Sequence, residues 1–188
     1  MGKIVVTEFV SLDGVIEDPG GSENFEHGGW TFEIDRGEEG DRLKLDETLE
    51  SEAMLLGRTT YEGFAEAWPS REDPAGFAKK MNSMPKYVYS TTLEDPSWEN
   101  TTVLSGDFAA DMRRVKDEVD GVILVAGSAT LAQGLLDNDL LDELRLMVFP
   151  VVIGSGKRLF GASGKKPLRL SEAKTAGAGI QLLTYERA

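Results

Sequence analysis

The sequence predicts an α/β fold with a mainly parallel central sheet, flanking helices and an antiparallel C-terminal edge. Three observations carry that expectation. Short β-branched runs alternate with helical stretches until about residue 137. Beyond that point the chain supplies strands with hardly a helix between them, the ordering of a parallel sheet finished by hairpin strands. Val122 to Ala126 is also a continuous apolar run, of the kind buried on both faces of a sheet. With 188 residues and no Pro-rich linker, low-complexity block or fixed-period repeat, one domain over 1–188 is expected.

In order along the chain, Ile4 to Val10 is β-branched and ends at Ser11-Leu12-Asp13-Gly14, a turn sequence. Residues 17 to 29 are rich in Gly, Pro, Asp, Asn and Ser and read as a loop. Between Phe32 and Glu52, charges interleave with Ile34, Leu43, Leu45 and Leu49. Gly37 and Gly40 make the first part of that stretch the weaker helix. Ala53 to Leu56 is a short buried strand, followed by a helix over Thr60 to Trp68. Pro74 is placed to open another helix through Ala78 and Met81. Lys86 to Ser90 and Thr102 to Leu104 read as strands, and Asp107 caps a helix running to about Val119. After Val122 to Ala126, Gly127-Ser128 leads into a helix through Leu131 and Leu135. Leu144 to Val152, Leu168 to Leu170 and Ile180 to Tyr185 are the closing strands.

Composition narrows the function classes. Twenty Lys and Arg against 33 Asp and Glu leave a net charge of −13. Coating nucleic acid needs the opposite balance, and so does docking on an anionic membrane surface. No cysteine is present, which removes disulfides, thiolate zinc sites and cysteine nucleophiles. The single histidine, His27, excludes a His-rich metal cage, so no metal is expected. The N-terminal run lacks an apolar export signal, and the cytoplasm is the expected compartment.

Two helix starts carry the chemistry. Gly57-Arg58-Thr59-Thr60 follows one strand and Gly127-Ser128-Ala129-Thr130 follows another. Each sets a glycine where backbone turns, then small or hydroxylated residues where a helix exposes its first N–H groups. Such N–H groups and the helix dipole favour phosphate. Either segment alone is equally an ordinary strand-to-helix turn. Two of them at the carboxyl ends of strands, one with an arginine, are more specific. Gly154-Ser155-Gly156-Lys157-Arg158 is not a P-loop, because Val151 replaces the first glycine and Arg158 the Ser or Thr. Neither it nor Gly177-Ala178-Gly179 completes a dinucleotide fingerprint, since Leu159 and Leu182 stand in the third glycine's place.

Taken together, Ser11-Leu12-Asp13-Gly14, Leu55-Leu56-Gly57-Arg58-Thr59-Thr60-Tyr61 and Leu124-Val125-Ala126-Gly127-Ser128 resemble the dihydrofolate-reductase-like superfamily. The branch most resembled is the riboflavin-biosynthesis reductase domain, the RibD C-terminal type. Leu140 to Leu144, Pro150 to Gly156 and Leu159-Phe160 extend the likeness into the last strands. The resemblance implies an eight-stranded sheet, NADPH as cofactor, and hydride transfer to a small heterocyclic or sugar-linked substrate. It also implies a homodimer.

By position, the resemblance assigns Arg58 and Thr59, with Gly57 and Thr60, to the 2′-phosphate and neighbouring phosphate. It places Ser90 and Thr91 near the adenosine, and Gly127, Ser128, Ala129 and Thr130 around the pyrophosphate. Asp13 and Gly14 would border nicotinamide and substrate, with Asp13 or water as the proton source. A guanidinium beside a helix start suits a phosphate. Trp30, Phe25 and His27 fall in the loop region after the first strand. They line the substrate pocket, or else Trp30 anchors the core and His27 lies on the surface. Dihydrofolate reductases carry a pteridine-binding carboxylate on the first helix. Asp35 and Glu39 stand nearest to that place, and both read as a solvated face.

From Leu144 to Ser171 the chain has six basic residues and no acid, leaving 14 basic against 33 acidic residues elsewhere. This segment is either a guarded hairpin edge or, through Lys157 and Arg158, a surface facing an anionic ligand. A reductase is the leading reading. Dihydrofolate reductase and a non-catalytic nucleotide-binding module are the alternatives.

Overall fold

A computed structural model describes residues 1–162 and 164–188. Strand β1 (Lys3–Ser11) takes the middle of an eight-stranded sheet because its Ile-Val-Val run is buried on both faces. A 3-10 turn (Trp30–Glu33) and helix α1 (Gly37–Glu50) precede β2 (Ser51–Gly57) and α2 (Arg58–Ala67). Then come α3 (Phe77–Ser83), β3 (Lys86–Tyr89), β4 (Thr101–Leu104), α4 (Phe108–Glu118) and β5 (Val122–Ala126). Helix α5 (Ala129–Asp137), β6 (Glu143–Phe149), β7 (Leu168–Ala176) and β8 (Ile180–Arg187) complete the chain.

The strand order is β4-β3-β2-β5-β1-β6-β8-β7. Strands β4 through β6 in that order run parallel, and β8 and β7 add antiparallel, as the sequence pattern requires. Even-numbered residues of β1 (Ile4, Val6, Val10) meet Met112 and Val115 of α4 and Leu131 and Leu135 of α5. The opposite face packs Met54, Leu56 and Val88 against Tyr61 of α2 and Met81 of α3, while Phe9 and Leu43 meet a cluster around Trp30 and Phe149. No helix among the described residues is long and apolar enough to cross a membrane.

Several boundaries differ from the sequence pattern, each for a local reason. Helix α3 starts at Phe77 rather than Pro74, because the Asp73 carboxylate accepts from the Phe77 and Ala78 N–H groups. The first helical stretch divides, with Gly37 at φ +65° opening α1 after the 3-10 turn. Strand β6 ends at Phe149 because Pro150 has no N–H to give a ladder. Strand β7 runs well past Leu170. Its Ser-Glu-Ala-Lys-Thr stretch is exposed and has no apolar alternation to read, yet its backbone pairs with β8 through Ala176.

Candidate functional site

β1 leads through α1 to β2, which lies two places away, and the chain later returns β5 to the gap between them. That reversal leaves a crevice over the carboxyl ends of β1, β2 and β5, where open α/β sheets take ligands. A cleft of about 1690 Å³ occupies it. Gly57, Arg58, Thr59 and Thr60 from the β2–α2 turn line it, as do Gly127, Ser128, Ala129 and Thr130 from the β5–α5 turn.

The two turns are locked to each other. Gly57 N–H donates to Ser128 Oγ at 2.9 Å, and the same hydroxyl donates to Thr60 Oγ1 at 2.9 Å. Gly127 sits at φ +70°, and a Cβ there would stand 3.2 Å from Thr60 Oγ1, so both conformation and space call for glycine. Ser128 is itself left-handed at φ 66° and spends its hydroxyl on the neighbouring turn, so it does not cap its own helix. Helix α2 likewise has no side-chain cap, whereas α4 is capped by Asp107, which accepts from Ala110 N–H. Two first turns of N–H groups therefore face the cleft without a side-chain acceptor. A phosphate or pyrophosphate fits that cradle.

Arg58 heads α2 with its side chain half exposed and 3.9 Å from Glu62 Oε1, a loose pairing that leaves the guanidinium available. The wall at the end of β3 is Tyr89, packed edge to face on Phe108 at 5.0 Å, and both rings line the cleft. Ser90 and Thr91, expected near an adenosine, follow Tyr89 but are not among the residues that line the cleft. The Ser90 hydroxyl accepts from the N–H groups of Thr92 and Leu93 and so shapes a local turn, and Thr91 points to solvent.

The Asp13 turn is a tie between loops. Asp13 accepts from Ser11 Oγ, Ile153 N–H and Gly154 N–H at 2.6, 3.1 and 2.8 Å. The Ser11 hydroxyl above all, with those N–H groups, holds its carboxyl down at about 2. Arg158 donates to the Asp13 carbonyl and stands 3.8 Å from the carboxylate, so this guanidinium closes the loop pair. Gly14, at φ +86°, completes the turn. Lys157, by contrast, does line the cleft, beside Glu17 at 3.9 Å.

Trp30 belongs to the core rather than a substrate pocket. It is buried, packs edge to face on Phe149 at 5.4 Å and donates from Nε1 to the Glu17 carbonyl. His27 is exposed and stacks edge to face on Phe25. Asp35 and Glu39 are exposed, as a solvated helical face would be.

Sequence reasoning missed the polar residues on β1 and α1. Thr7 donates to Glu47, Lys44 donates to both, and Arg145 approaches Glu47 at 3.8 Å, a buried network at the cleft's side. Beside it Glu8 also lines the cleft, is 4% exposed, and leaves Oε1 buried without a hydrogen-bond partner. Burial pushes the Glu8 carboxyl up to about 8, against the pull of Lys44. The signal was present in the sequence: Glu8 is an acid near the end of an otherwise apolar and β-branched run.

The chain's similarities to known proteins agree with this architecture. The family model of the RibD C-terminal domain matches residues 2–182. Two Bacillus subtilis (strain 168) proteins, both uncharacterized, align along nearly their whole length. YwjB is 30% identical over 181 residues, covering 96% of this chain and 95% of that protein. YyaP is 26% identical over 188 residues, covering 97% and 94%. Among solved structures, a putative riboflavin biosynthesis protein from Shewanella sp. PV-4 superposes with a TM-score of 0.76 at 21% identity, covering 99% of each chain. A pyrimidine reductase-like protein from Corynebacterium diphtheriae gives 0.63 at 12%, covering 99% of this chain and 92% of that one. Dihydrofolate reductase from Enterococcus faecalis complexed with NADP(H) gives 0.59 at 17%, covering 98% and 96%.

Proposed function

Because the chain belongs to the RibD C-terminal domain family, we propose that it is an NADPH-dependent reductase acting on a small heterocyclic or sugar-linked substrate. The reading extends to a likeness with 5-amino-6-(5-phosphoribosylamino)uracil reductase of riboflavin biosynthesis. What carries it is the pair of interlocked turns over β2 and β5, whose helix starts face the cleft without side-chain caps.

On this reading Thr59, Thr60 and the first N–H groups of α2 hold one phosphate, with the Arg58 guanidinium on the 2′-phosphate. Ala129, Thr130 and the start of α5 cradle the pyrophosphate, and Tyr89 and Phe108 supply an apolar wall for the base. When bound, NADPH supplies the hydride. The protein's own part is then orientation, exclusion of water and the placing of one proton. A charge-assisted hydrogen bond of about 1.5–3 kcal/mol from Arg58 corresponds to a preference for NADPH over NADH of roughly ten- to a hundredfold. Lys157, at the cleft's mouth, is the cation placed to meet a substrate phosphate.

The test is turnover. NADPH-loaded protein is mixed with 5-amino-6-(5-phosphoribosylamino)uracil, with dihydrofolate and with small aldehydes, and the reduced-nicotinamide absorbance is followed. Loss of absorbance with the pyrimidine supports the assignment. Reduction of dihydrofolate alone reassigns the substrate, and NADPH binding with no turnover leaves a nucleotide-binding module.

A further inference from the structure

We propose that Glu8 is the acid of this site, giving its carboxyl proton to the nitrogen or oxygen of the C=N or C=O bond being reduced. The role rests on the reductase reading above. Its ground is position. Thr7 is level with Ala126, the last residue of β5, so Glu8 stands one step further on, level with the Gly127 turn. It shares the β1 face of Val6 and Val10, opposite to Thr7 and Phe9, and its other strand neighbour is Leu146.

What sets Glu8 apart is that no hydrogen bond from the described residues reaches its buried Oε1. The other buried acids are engaged: Asp18, which also lines the cleft, by the Ser22 and Phe25 N–H groups, Glu47 by Thr7, Lys44 and Arg145, and Glu143 by Lys3 and Arg145. A buried polar atom with no partner is costly and rare. Glu8 Oε1 has none and its residue lines the ligand cleft, so a bound molecule is the group that completes it. Asp13, the acid expected from the sequence, sits on the loop tie and is held as a carboxylate, without a proton to give.

The surroundings keep the Glu8 proton in place. Lys44 of α1 is the charged group that acts on it, and Lys44 is already held by Thr7 and Glu47. Strand β5 and the first turn of α5 bring no ionisable side chain. On β6, Glu143 and Arg145 pair with each other at 2.6 Å, and at the mouth Glu17 and Lys157 lie 3.9 Å apart. A carboxyl shielded in this way stays neutral through pH 7.

The step balances. The carbon of the C=X bond takes the hydride and its two electrons, the π bond opens, and X takes the proton of Glu8. NADPH, the reductant, leaves as NADP+, and the Glu8 carboxylate regains a proton from water after product departs. A glycosylamine meets the requirement as its ring-opened imine, so the class of substrate is a compound holding C=N or C=O beside an anionic sugar.

Infrared spectroscopy of the full chain tests this, with NADPH as probe. At pH 7 the wild type should show the carbonyl stretch of a protonated carboxyl that Glu8→Gln lacks, and saturating NADPH should shift it. With a panel compound that the wild type reduces, Glu8→Gln should lower kcat by about a hundredfold or more. Any change in NADPH affinity should be small beside that loss, and the fall of kcat above pH 8 should vanish. A protonated-carboxyl band that is missing, or unmoved by bound NADPH, overturns the role of Glu8 alone; so does an unchanged kcat. A wild type that fails to bind NADPH overturns the reductase reading itself, and a melting curve separates the two failures.

Discussion

Two carboxyls near the carboxyl end of β1 are pushed in opposite directions by their surroundings. Asp13 is held down at about 2 by hydrogen bonds from Ser11, Ile153 and Gly154, and Glu8 is pushed up to about 8 by burial. The consequences for stability are opposite in sign. For Asp13 the folded value lies below the unfolded one, so its stabilisation is present above the ordinary carboxylate range and is lost as pH falls through about 2. Asp13→Asn should therefore cost about 1–3 kcal/mol at neutral pH, with the gap from wild type narrowing in acid urea melts. For Glu8 the folded value lies above the unfolded 4.5, so the unfolded chain releases its proton first. The wild type should lose stability as pH climbs from 4.5 toward 8, and Glu8→Gln should melt increasingly above it over that window. Melting temperatures that track in parallel from pH 5 to 8 would contradict a neutral Glu8.

At the scale of elements, the two strand-to-helix turns behave as one unit, because the Ser128 hydroxyl bridges Gly57 and Thr60. Ser128→Ala removes both bonds and should cost about 1 kcal/mol, with weaker NADPH binding. Gly127→Ala should cost about 1–2 kcal/mol for its left-handed backbone alone, before the crowding at Thr60. Calorimetric titration and thermal melts of both variants check this coupling.

The turns themselves were legible in the sequence, since glycine after an apolar run followed by hydroxylated residues has a local cause. So were the parallel strands, whose apolar runs are dictated by burial on both faces. What stayed hidden depends on partners far along the chain. Ser128 works for the other turn, and Ser90 serves its own turn instead of the cleft. Arg158 closes on Asp13, 145 residues away. The exposed half of β7 has no pattern of its own and exists because β8 pairs with it.

At the scale of the molecule, −13 is an awkward charge for a protein proposed to bind an anionic cofactor. The acid-free stretch from Leu144 to Ser171 resolves less of this than its composition suggests. Arg145 is taken by Glu47 and Glu143, Arg158 by Asp13, Lys166 by Asp139 and Arg169 by Glu186. Lys165 is exposed and Lys157 stands at the cleft beside Glu17, so the positive potential for a cofactor comes mainly from outside this stretch, from Arg58, Arg71 and the two helix starts. The central claim reduces to that arrangement. Its most direct test is calorimetric titration of wild type and Arg58→Ala with NADPH and NADH. Wild type should prefer NADPH by roughly ten- to a hundredfold, and Arg58→Ala should abolish most of that preference. Equal affinities for the two cofactors in the wild type would contradict the account.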